Sequence, residues 1–276
     1  EDKYLFDKKI LNNQAAKSKD SHPTGVLPSQ SLRELISEKI IFSLEDQIDE
    51  DQIQPASIDL RLGRYAYRVR ASFLPGENCT VMNKIDALGM HKIDLEKGNV
   101  LEKGGVYIVP LQESVTLTSR LSGIANPKSS IGRVDVFTRL ITDQGTEFDR
   151  VSDGYKGLLY AEISPRTFSV IVSKGTRLLQ LRLRRGSPRP TDTATRRLHE
   201  KVTLVDSKYT DKEFAKRIKN VVPISVDLSG EKNNGIIGYK AKKYTSLIDL
   251  DKFNKYNFED YWEKIYHNEK NNLILD

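Results

Sequence analysis

The sequence contains a single cysteine, Cys79, and only four histidines among its 276 residues. One cysteine excludes an intrachain disulfide and any zinc site built from several thiolates, and it suits a reducing, cytoplasmic environment. The histidines are dispersed, with no HxxxH or HExxH spacing among them. Zinc-dependent chemistry is therefore not expected, and we predict no resident metal site.

Long hydrophobic runs are also missing, since the longest are short stretches such as "GLLYA" and "VVPI". A transmembrane helix needs about 20 apolar residues, so no membrane partner is predicted. Residues 1–9 are charged from the first position, which is not the pattern of a signal peptide. The 44 basic and 38 acidic residues leave a net charge of only +6, and the cations are spread along the chain. Nucleic acid is therefore not predicted as a partner.

Composition and turn signals divide the chain into four segments. Residues 1–25 are polar and turn-rich, which predicts an extended N-terminal arm. Residues 26–186 begin with a short predicted helix at about 30–38 and, from Ile58 to Arg185, contain short apolar runs separated by glycine-containing turns, which predicts a β unit. Residues 187–222 are proline-containing and then charged, with a capping-box sequence at Thr210-Asp211-Lys212-Glu213, which predicts a mostly helical linker. Residues 223–276 form the last segment.

The β unit determines the predicted fold class. Ser57–Leu62 alternates polar and apolar residues, as a half-buried strand does, and "VYIVPL", "SVTLT", "FSVIVS" and "LLQLRLR" follow. Many short strands without long helices between them indicate an all-β barrel or sandwich with a few short helices. We therefore expect a mainly β protein.

A partial internal repeat links the second and fourth segments. The sequence "PASIDLRLG" of residues 55–63 returns as "PISVDLSG" in residues 223–230, and a cluster of tyrosine and basic residues follows each copy. Such a repeat indicates duplication of a structural unit. Residues 223–276 are thus predicted to be the start of a second, incomplete unit.

The sharpest chemical motif is Asn126-Pro127-Lys128-Ser129-Ser130-Ile131-Gly132-Arg133. Asparagine followed by proline is a favoured helix start, so Asn126 is predicted to cap a helix that begins at Pro127. Hydroxyls from Ser129 and Ser130, with cations from Lys128 and Arg133, suit an anion such as phosphate. An ordinary capped surface helix with solvated charges fits the same residues equally well.

Three further features have both a chemical and a plain structural interpretation. Glu162 interrupts the apolar run "LLYAEI", where a buried carboxylate would suit general-base work, although most isolated strand glutamates face water. Asp153 and Tyr155 lie in the turn "DGYKG" and would suit a sugar hydroxyl and a sugar face, or form only a hairpin turn. Gln180, in "GTRLLQLRL", is either a ligand contact or a polar strand residue.

Taken in order, these segments resemble a known family. "QPASIDLRLG", "SVTLTSRLSGIANPKSSIGR" and "FDRVSDGYKGLLYAEISPRTFSVIVSKGTRLLQLRL" are similar to the deoxycytidine triphosphate deaminases of the dUTPase-like superfamily, over residues 26–186. The partial repeat is similar to the tandem-duplicated form found in some bacteria. The resemblance implies a distorted β-barrel of the β-clip type. It also implies a homo-oligomer, trimeric or pseudo-trimeric, with active sites between neighbouring units.

The resemblance further implies hydrolysis of dCTP to dUTP and ammonia, which supplies thymidylate synthesis, with magnesium carried by the triphosphate. Glu162 matches the catalytic base, and Ser129 and Arg133 match residues at the reacting centre. The implied nucleotide-binding positions are Lys128, Ser129, Ser130, Arg133, Thr142, Asp153, Tyr155 and Gln180. Within this set, the two serines and Arg133 are implied to bind the triphosphate, and Asp153 and Tyr155 to bind the deoxyribose. Backbone near Thr142 is implied to contact the cytosine edge.

Two alternative functions remain open on the sequence. A dUTP pyrophosphatase, or a bifunctional deaminase and pyrophosphatase, would use the same fold and similar nucleotides. A glutamate inside the strand that follows "DGYKG" favours deamination, because a pyrophosphatase normally needs no catalytic acid there. A non-catalytic nucleotide sensor would bind without turnover.

Overall fold

The computed structural model describes residues 24–186, 191–205, 210–270 and 272–274. Most of the predicted N-terminal arm, residues 1–23, lies outside the described residues, as do residues 187–190 and 206–209 of the predicted linker. The chain divides into two compact units. The first contains described residues up to 186 together with 246–255, and the second contains the others.

Strands predominate in the first unit, which confirms the predicted mainly β class with a few short helices. Its strands are β1 (Gly25–Val26), β2 (Ile41–Ser43), β3 (Ile53–Gln54), β4 (Ser57–Arg61), β5 (Tyr65–Val69), β6 (Gly89–Asp94), β7 (Asn99–Leu101), β8 (Val106–Thr116), β9 (Leu121–Pro127), β10 (Val136–Thr142), β11 (Arg150–Val151), β12 (Lys156–Pro165), β13 (Val170–Val172), β14 (Arg177–Arg185) and β16 (Ile248–Asp249). Its helices are α1 (Ser29–Ser37), α2 (Val81–Leu88), α3 (Ser129–Arg133) and a 3₁₀ turn (Glu50–Gln52).

These strands form two six-stranded sheets and one small sheet. The first sheet has the order β11-β9-β14-β4-β3, with β1 also paired to β14. The second has the order β10-β12-β8-β5-β6, with β2 also paired to β8, and the small sheet has the order β16-β13-β7. The predicted distorted barrel takes the form of open sheets, because no pairing closes their edges in the part of the chain that the structure describes.

Alternation along β4 gives the first sheet one apolar face, but β4 is not half-buried as predicted, because Asp59 and Arg61 on its other face are buried as well. Ile58, Leu60 and Leu62 are fully buried and lie on the face opposite to the polar residues between them. Ile58 pairs with Leu181, and Leu60 pairs with Leu179, so one apolar face runs across both strands. Burial of such a face is the main source of stability for a sheet of this kind.

In the second sheet, the register sets which residues share a face with α2. Glu162 of β12 lies directly opposite Arg139 of β10, and Tyr160 lies opposite Ile141. Tyr160 and Ile141 belong to a buried cluster with Val81 and Ile85 of α2, together with Val69 and Ile108. Glu162 therefore lies on the sheet face that α2 covers.

The second unit contains α4 (Asp192–Lys201), α5 (Asp211–Ala215), a 3₁₀ turn (Glu231–Asn233), α6 (Phe258–Tyr261) and the antiparallel pair β15 (Ile236–Ala241) and β17 (Trp262–Tyr266). The capping box predicted at Thr210 and Glu213 is confirmed, since each side chain bonds the other's backbone N–H. Residues 223–229, within the second copy of the repeated motif, are not in a strand. Among the described residues, no helix has both the length and the apolar character needed to cross a bilayer.

Candidate active site

Glu162 lies in β12 with 1% of its surface exposed. It is buried and does not face water, unlike most isolated strand glutamates. Its Oε1 atom accepts two hydrogen bonds from Arg139, from Nε at 3.1 Å and from Nη2 at 2.5 Å. Its Oε2 atom is buried and has no hydrogen-bond partner among the described residues. One carboxylate oxygen is thus fixed by a cation, while the other is available to a ligand or a water molecule.

Arg139 is the main residue that the sequence interpretation missed. Its Nη2 atom also donates a hydrogen bond to Ser72 Oγ at 2.8 Å, and its Cζ atom lies 3.5 Å from the ring centroid of Phe148. The only sequence signal was a lone arginine in the otherwise apolar strand "VFTRLIT". Its pairing with Glu162 depends on a strand register that composition does not reveal.

Asp149 is a second acidic group beside this pair. Its backbone N–H donates to Leu140 O at 2.9 Å, and its Oδ1 accepts from Leu140 N–H at 2.8 Å. The pKa of Asp149 is raised, mainly because its carboxyl group is buried and to a smaller extent because of the charge of Glu162. The hydrogen bond from Leu140 and the charge of Arg139 act in the opposite direction. The three charged groups therefore interact electrostatically with one another.

Thr142, Asp153 and Tyr155 line one cavity of about 400 Å³. Tyr155 donates its hydroxyl hydrogen to Leu158 O at 2.6 Å and accepts from Asp143 N–H at 3.2 Å. Burial raises the pKa of Tyr155, which keeps the phenol neutral. The structure thus brings together three of the predicted nucleotide-binding residues, and it anchors the Tyr155 hydroxyl to the backbone.

Asp143, also on this cavity, connects its loop to α2. Its Oδ1 accepts from Val81 N–H, the first amide of α2, at 2.7 Å. The neighbouring Gln144 N–H donates to Cys79 O at 3.0 Å. Burial raises the pKa of Asp143, although the Val81 amide lowers it. Hydrogen bonds therefore connect the cavity wall at Asp143 and Gln144 to α2 and the residues before it, and α2 covers the sheet face that contains Glu162.

Replacing Asp143 with asparagine should stabilise the protein at pH 8 and lose that advantage on acidification. The asparagine carbonyl still accepts from Val81, but no charge is buried. The pKa of Asp143 is raised in the folded protein, so the folded state binds this proton more tightly than the unfolded chain does. The free energy of unfolding of the wild type therefore increases as the pH falls from the folded-state pKa to the ordinary aspartate pKa of about 3.9. Urea midpoints at pH 8 and pH 4 measure this, with the exposed Asp86→Asn on α2 as control. If Asp143→Asn is stabilised over wild type by more at pH 4 than at pH 8, the prediction is wrong.

The anion motif folds differently from its predicted start. Asn126 and Pro127 are the last residues of β9, and the helix is α3 with Lys128 as its N-cap. The prediction of Asn126 as cap was wrong because β9 continues to pair with β14 through Pro127, opposite Leu179. Strand pairing thus overrides the local Asn-Pro preference for a helix start.

Ser129, Ser130 and Arg133 all lie within the short helix α3, and all three are exposed. Arg133 makes no ion pair or side-chain hydrogen bond with the other residues that the structure describes. These hydroxyls and this guanidinium are therefore available to an external anion. They do not line the 400 Å³ cavity.

Lys128 and Gln180 lie beside a different acidic residue, Asp59. The Lys128 ammonium forms an ion pair with the buried carboxylate of Asp59. Gln180 lies between Asp59 and Asn126 in the sheet register and accepts a hydrogen bond from Ser57 Oγ at 3.1 Å. The predicted residues therefore have different partners within one chain: Glu162 pairs with Arg139, Thr142, Asp153 and Tyr155 line the cavity, and Lys128 and Gln180 lie beside Asp59.

Comparison with known proteins agrees with the resemblance drawn from the sequence. The family model described as the 2′-deoxycytidine 5′-triphosphate deaminase N-terminal domain matches residues 23–187, and the corresponding C-terminal domain model matches residues 191–276. A crystal structure of 2′-deoxycytidine 5′-triphosphate deaminase from Agrobacterium tumefaciens is 44% identical, with a TM-score of 0.84. The match covers 92% of this chain and 74% of that one.

Curated relatives from two species carry the name "dCTP deaminase, dUMP-forming". The protein of Corynebacterium glutamicum strain R is 28% identical over 119 residues, which is 43% of this chain and 59% of the relative. That of Persephonella marina is 28% identical over 114 residues, which is 41% of this chain and 60% of the relative. The matches thus span about three fifths of the relatives' length. With both family models matching, the chain belongs to the 2′-deoxycytidine 5′-triphosphate deaminase family.

Proposed function

We propose that this protein hydrolyses the exocyclic C–N bond of dCTP to give dUTP and ammonia. The observation that carries the proposal is the buried carboxylate of Glu162, whose Oε1 is fixed by Arg139 and whose Oε2 has no described partner. Such an oxygen is suited to accept a proton from water. Family membership supplies the substrate class.

In this mechanism, the water oxygen bonds to the amine-bearing carbon of cytosine while Glu162 takes one proton from the water. The resulting tetrahedral adduct then loses ammonia, because Glu162 returns that proton to the amine and the C–N bond breaks. The second water hydrogen ends on the ring nitrogen, and the ring carbon becomes a carbonyl. Ser129 and Arg133 are assigned to the reacting centre, where a hydroxyl and a cation stabilise developing charge.

The rest of the nucleotide is assigned to the other predicted groups. Ser129, Ser130 and Arg133, with Lys128, hold the triphosphate, and Gln180 contacts the nucleotide of a neighbouring unit. Asp153 and Tyr155 hold the deoxyribose, and the backbone at Thr142 reads the cytosine edge. The cations and hydroxyls near α3 suit phosphate better than a bare metal ion, so magnesium arrives on the triphosphate.

Assembly completes the site in this proposal. Ser129, Ser130 and Arg133 do not line the cavity that contains the predicted deoxyribose and cytosine contacts, which fits a homo-oligomer, trimeric or pseudo-trimeric, whose sites lie between units. Sedimentation equilibrium with and without dCTP tests this part. A monomer that turns over dCTP at full rate would contradict it. The predicted setting is the cytoplasm, without nucleic-acid or membrane partners.

One assay tests the function itself. The purified protein is incubated with dCTP and magnesium, and dUTP, dUMP, ammonia and pyrophosphate are quantified. Equimolar dUTP and ammonia support the proposal, and absence of turnover contradicts it and favours a nucleotide sensor. The relatives' name "dUMP-forming" favours a second candidate, a bifunctional enzyme, for which dUMP and pyrophosphate would replace dUTP.

Replacing Arg133 with glutamine should raise KM for dCTP by about tenfold or more. A hydrogen bond to a charged group contributes about 1.5–3 kcal/mol, and 1.4 kcal/mol corresponds to a factor of ten in affinity. Steady-state kinetics measure the effect, with the exposed Lys97→Gln as a control that also removes one positive charge. Deoxycytidine binding should change much less, because it lacks the phosphates. Equal losses for dCTP and deoxycytidine would show that Arg133 does not contact the triphosphate.

A further inference from the structure

Arg139 is held by groups from three different segments of the first unit. Two of its hydrogen bonds go to Glu162 on the neighbouring strand, and a third goes to Ser72 in the segment between β5 and α2. Its guanidinium packs over Phe148, at 3.5 Å from Cζ to the ring centroid, and its side chain is only 22% exposed. A guanidinium held in this way has little freedom to change its orientation.

The hydrogen bonds from Arg139 make the two oxygens of Glu162 unequal. Both bonds end on Oε1, whereas Oε2 is buried without a described partner. A buried carboxylate oxygen without a hydrogen bond is costly, so it is retained where a ligand or a water satisfies it. A half-turn of the carboxylate only exchanges two equivalent oxygens, so one oxygen position stays bonded to Arg139 and the other stays without a described partner. The pairing therefore selects Oε2 as the oxygen that meets the reacting water.

We propose that Arg139 is a positioning residue for deamination, which fixes Oε1 of Glu162 so that Oε2 receives the proton of the attacking water. This inference rests on the proposed function. It adds Arg139, which was not among the sequence-predicted site residues, and it assigns different roles to the two oxygens of Glu162.

A double-mutant cycle tests whether Arg139 acts through Glu162. Arg139→Met, Glu162→Gln and the double variant are compared with wild type by single-turnover release of ammonia from dCTP and by dCTP affinity. Arg139→Met should lower the rate about 10²-fold with affinity within about threefold, since a misplacement of about 1 Å costs that much. In the Glu162→Gln background, the same substitution should cause no further loss.

Matched variants separate this role from general damage. Arg166→Met replaces an exposed arginine in the turn after β12 and should leave the rate unchanged. Arg139→Lys keeps the charge but not the two-nitrogen contact or the ring packing, so it should restore only part of the rate. If Arg139→Met fails to fold, the double-mutant cycle with Glu162→Gln is carried out with Arg139→Lys and with Phe148→Leu instead.

The outcomes distinguish this inference from the function on which it rests. A wild-type protein that releases no ammonia, or a Glu162→Gln variant at wild-type rate, overturns the proposed function. An inactive Glu162→Gln variant beside an Arg139→Met variant at wild-type rate overturns only the positioning role. Losses that multiply in the double variant also overturn it, because they show that Arg139 acts independently of Glu162.

Discussion

Replacing Glu162 with glutamine should reduce ammonia release from dCTP by at least about 10³-fold, within the range that general acid–base catalysis contributes. Glutamine has nearly the shape of glutamate, and its carbonyl can still accept both hydrogen bonds from Arg139 in the place of Oε1. The amide NH₂ then occupies the position of Oε2. That group donates hydrogen bonds and cannot accept the proton of the attacking water.

The affinity for dCTP should stay within about threefold in this variant, because the proposed triphosphate and sugar contacts are unchanged. Rapid-quench kinetics at saturating dCTP, with affinity measured separately by calorimetry, check both parts. The matched control is Glu96→Gln, which changes an exposed glutamate in the turn after β6. A Glu162→Gln rate within tenfold of wild type would show that another group activates the water.

How far the sequence predicts this site is illustrated by Glu162 and Arg139. The position of Glu162 inside an apolar run is visible in the sequence, but its burial is not, since the same pattern fits a strand with one face in water. Arg139 is 23 residues away and meets Glu162 only through the β10–β12 register. That register follows a long connection in which Gln144 and Asp149 adopt left-handed backbone conformations. Short-range patterns do not encode such a connection.

The anion motif illustrates the opposite error, in which a strong local signal gave a wrong boundary. Asn-Pro is a good helix start, yet Asn126 and Pro127 belong to β9 because β14 supplies pairing partners for them. The mainly β class was easier to predict, because alternation in Ser57–Arg61 and several similar runs is a short-range property. Residues 223–229 repeat that alternation without forming a strand. Pattern alone therefore does not guarantee a strand where no partner strand lies alongside.

Replacing Arg61 with methionine should destabilise the protein by about 3–5 kcal/mol, the cost of leaving a buried charge without its partner. Glu113 of β8 is fully buried. Its Oε2 accepts from Arg61 N–H at 2.7 Å, and its Oε1 accepts from Arg61 Nε at 2.8 Å and from Gln52 Nε2 at 2.9 Å. Methionine fills the space of the arginine stem but leaves Glu113 with only the backbone and Gln52 as donors.

Urea unfolding at neutral pH measures this effect, and two variants define its cause. Arg64 lies three residues after Arg61 and forms an exposed ion pair with Asp94. Arg64→Met breaks that pair and should leave the unfolding midpoint nearly unchanged. The double variant Arg61→Met, Glu113→Leu should be more stable than Arg61→Met alone, because it removes the buried charge together with its partner. If the double variant is less stable instead, lost packing around Arg61, and not an unpaired Glu113 carboxylate, accounts for the destabilisation.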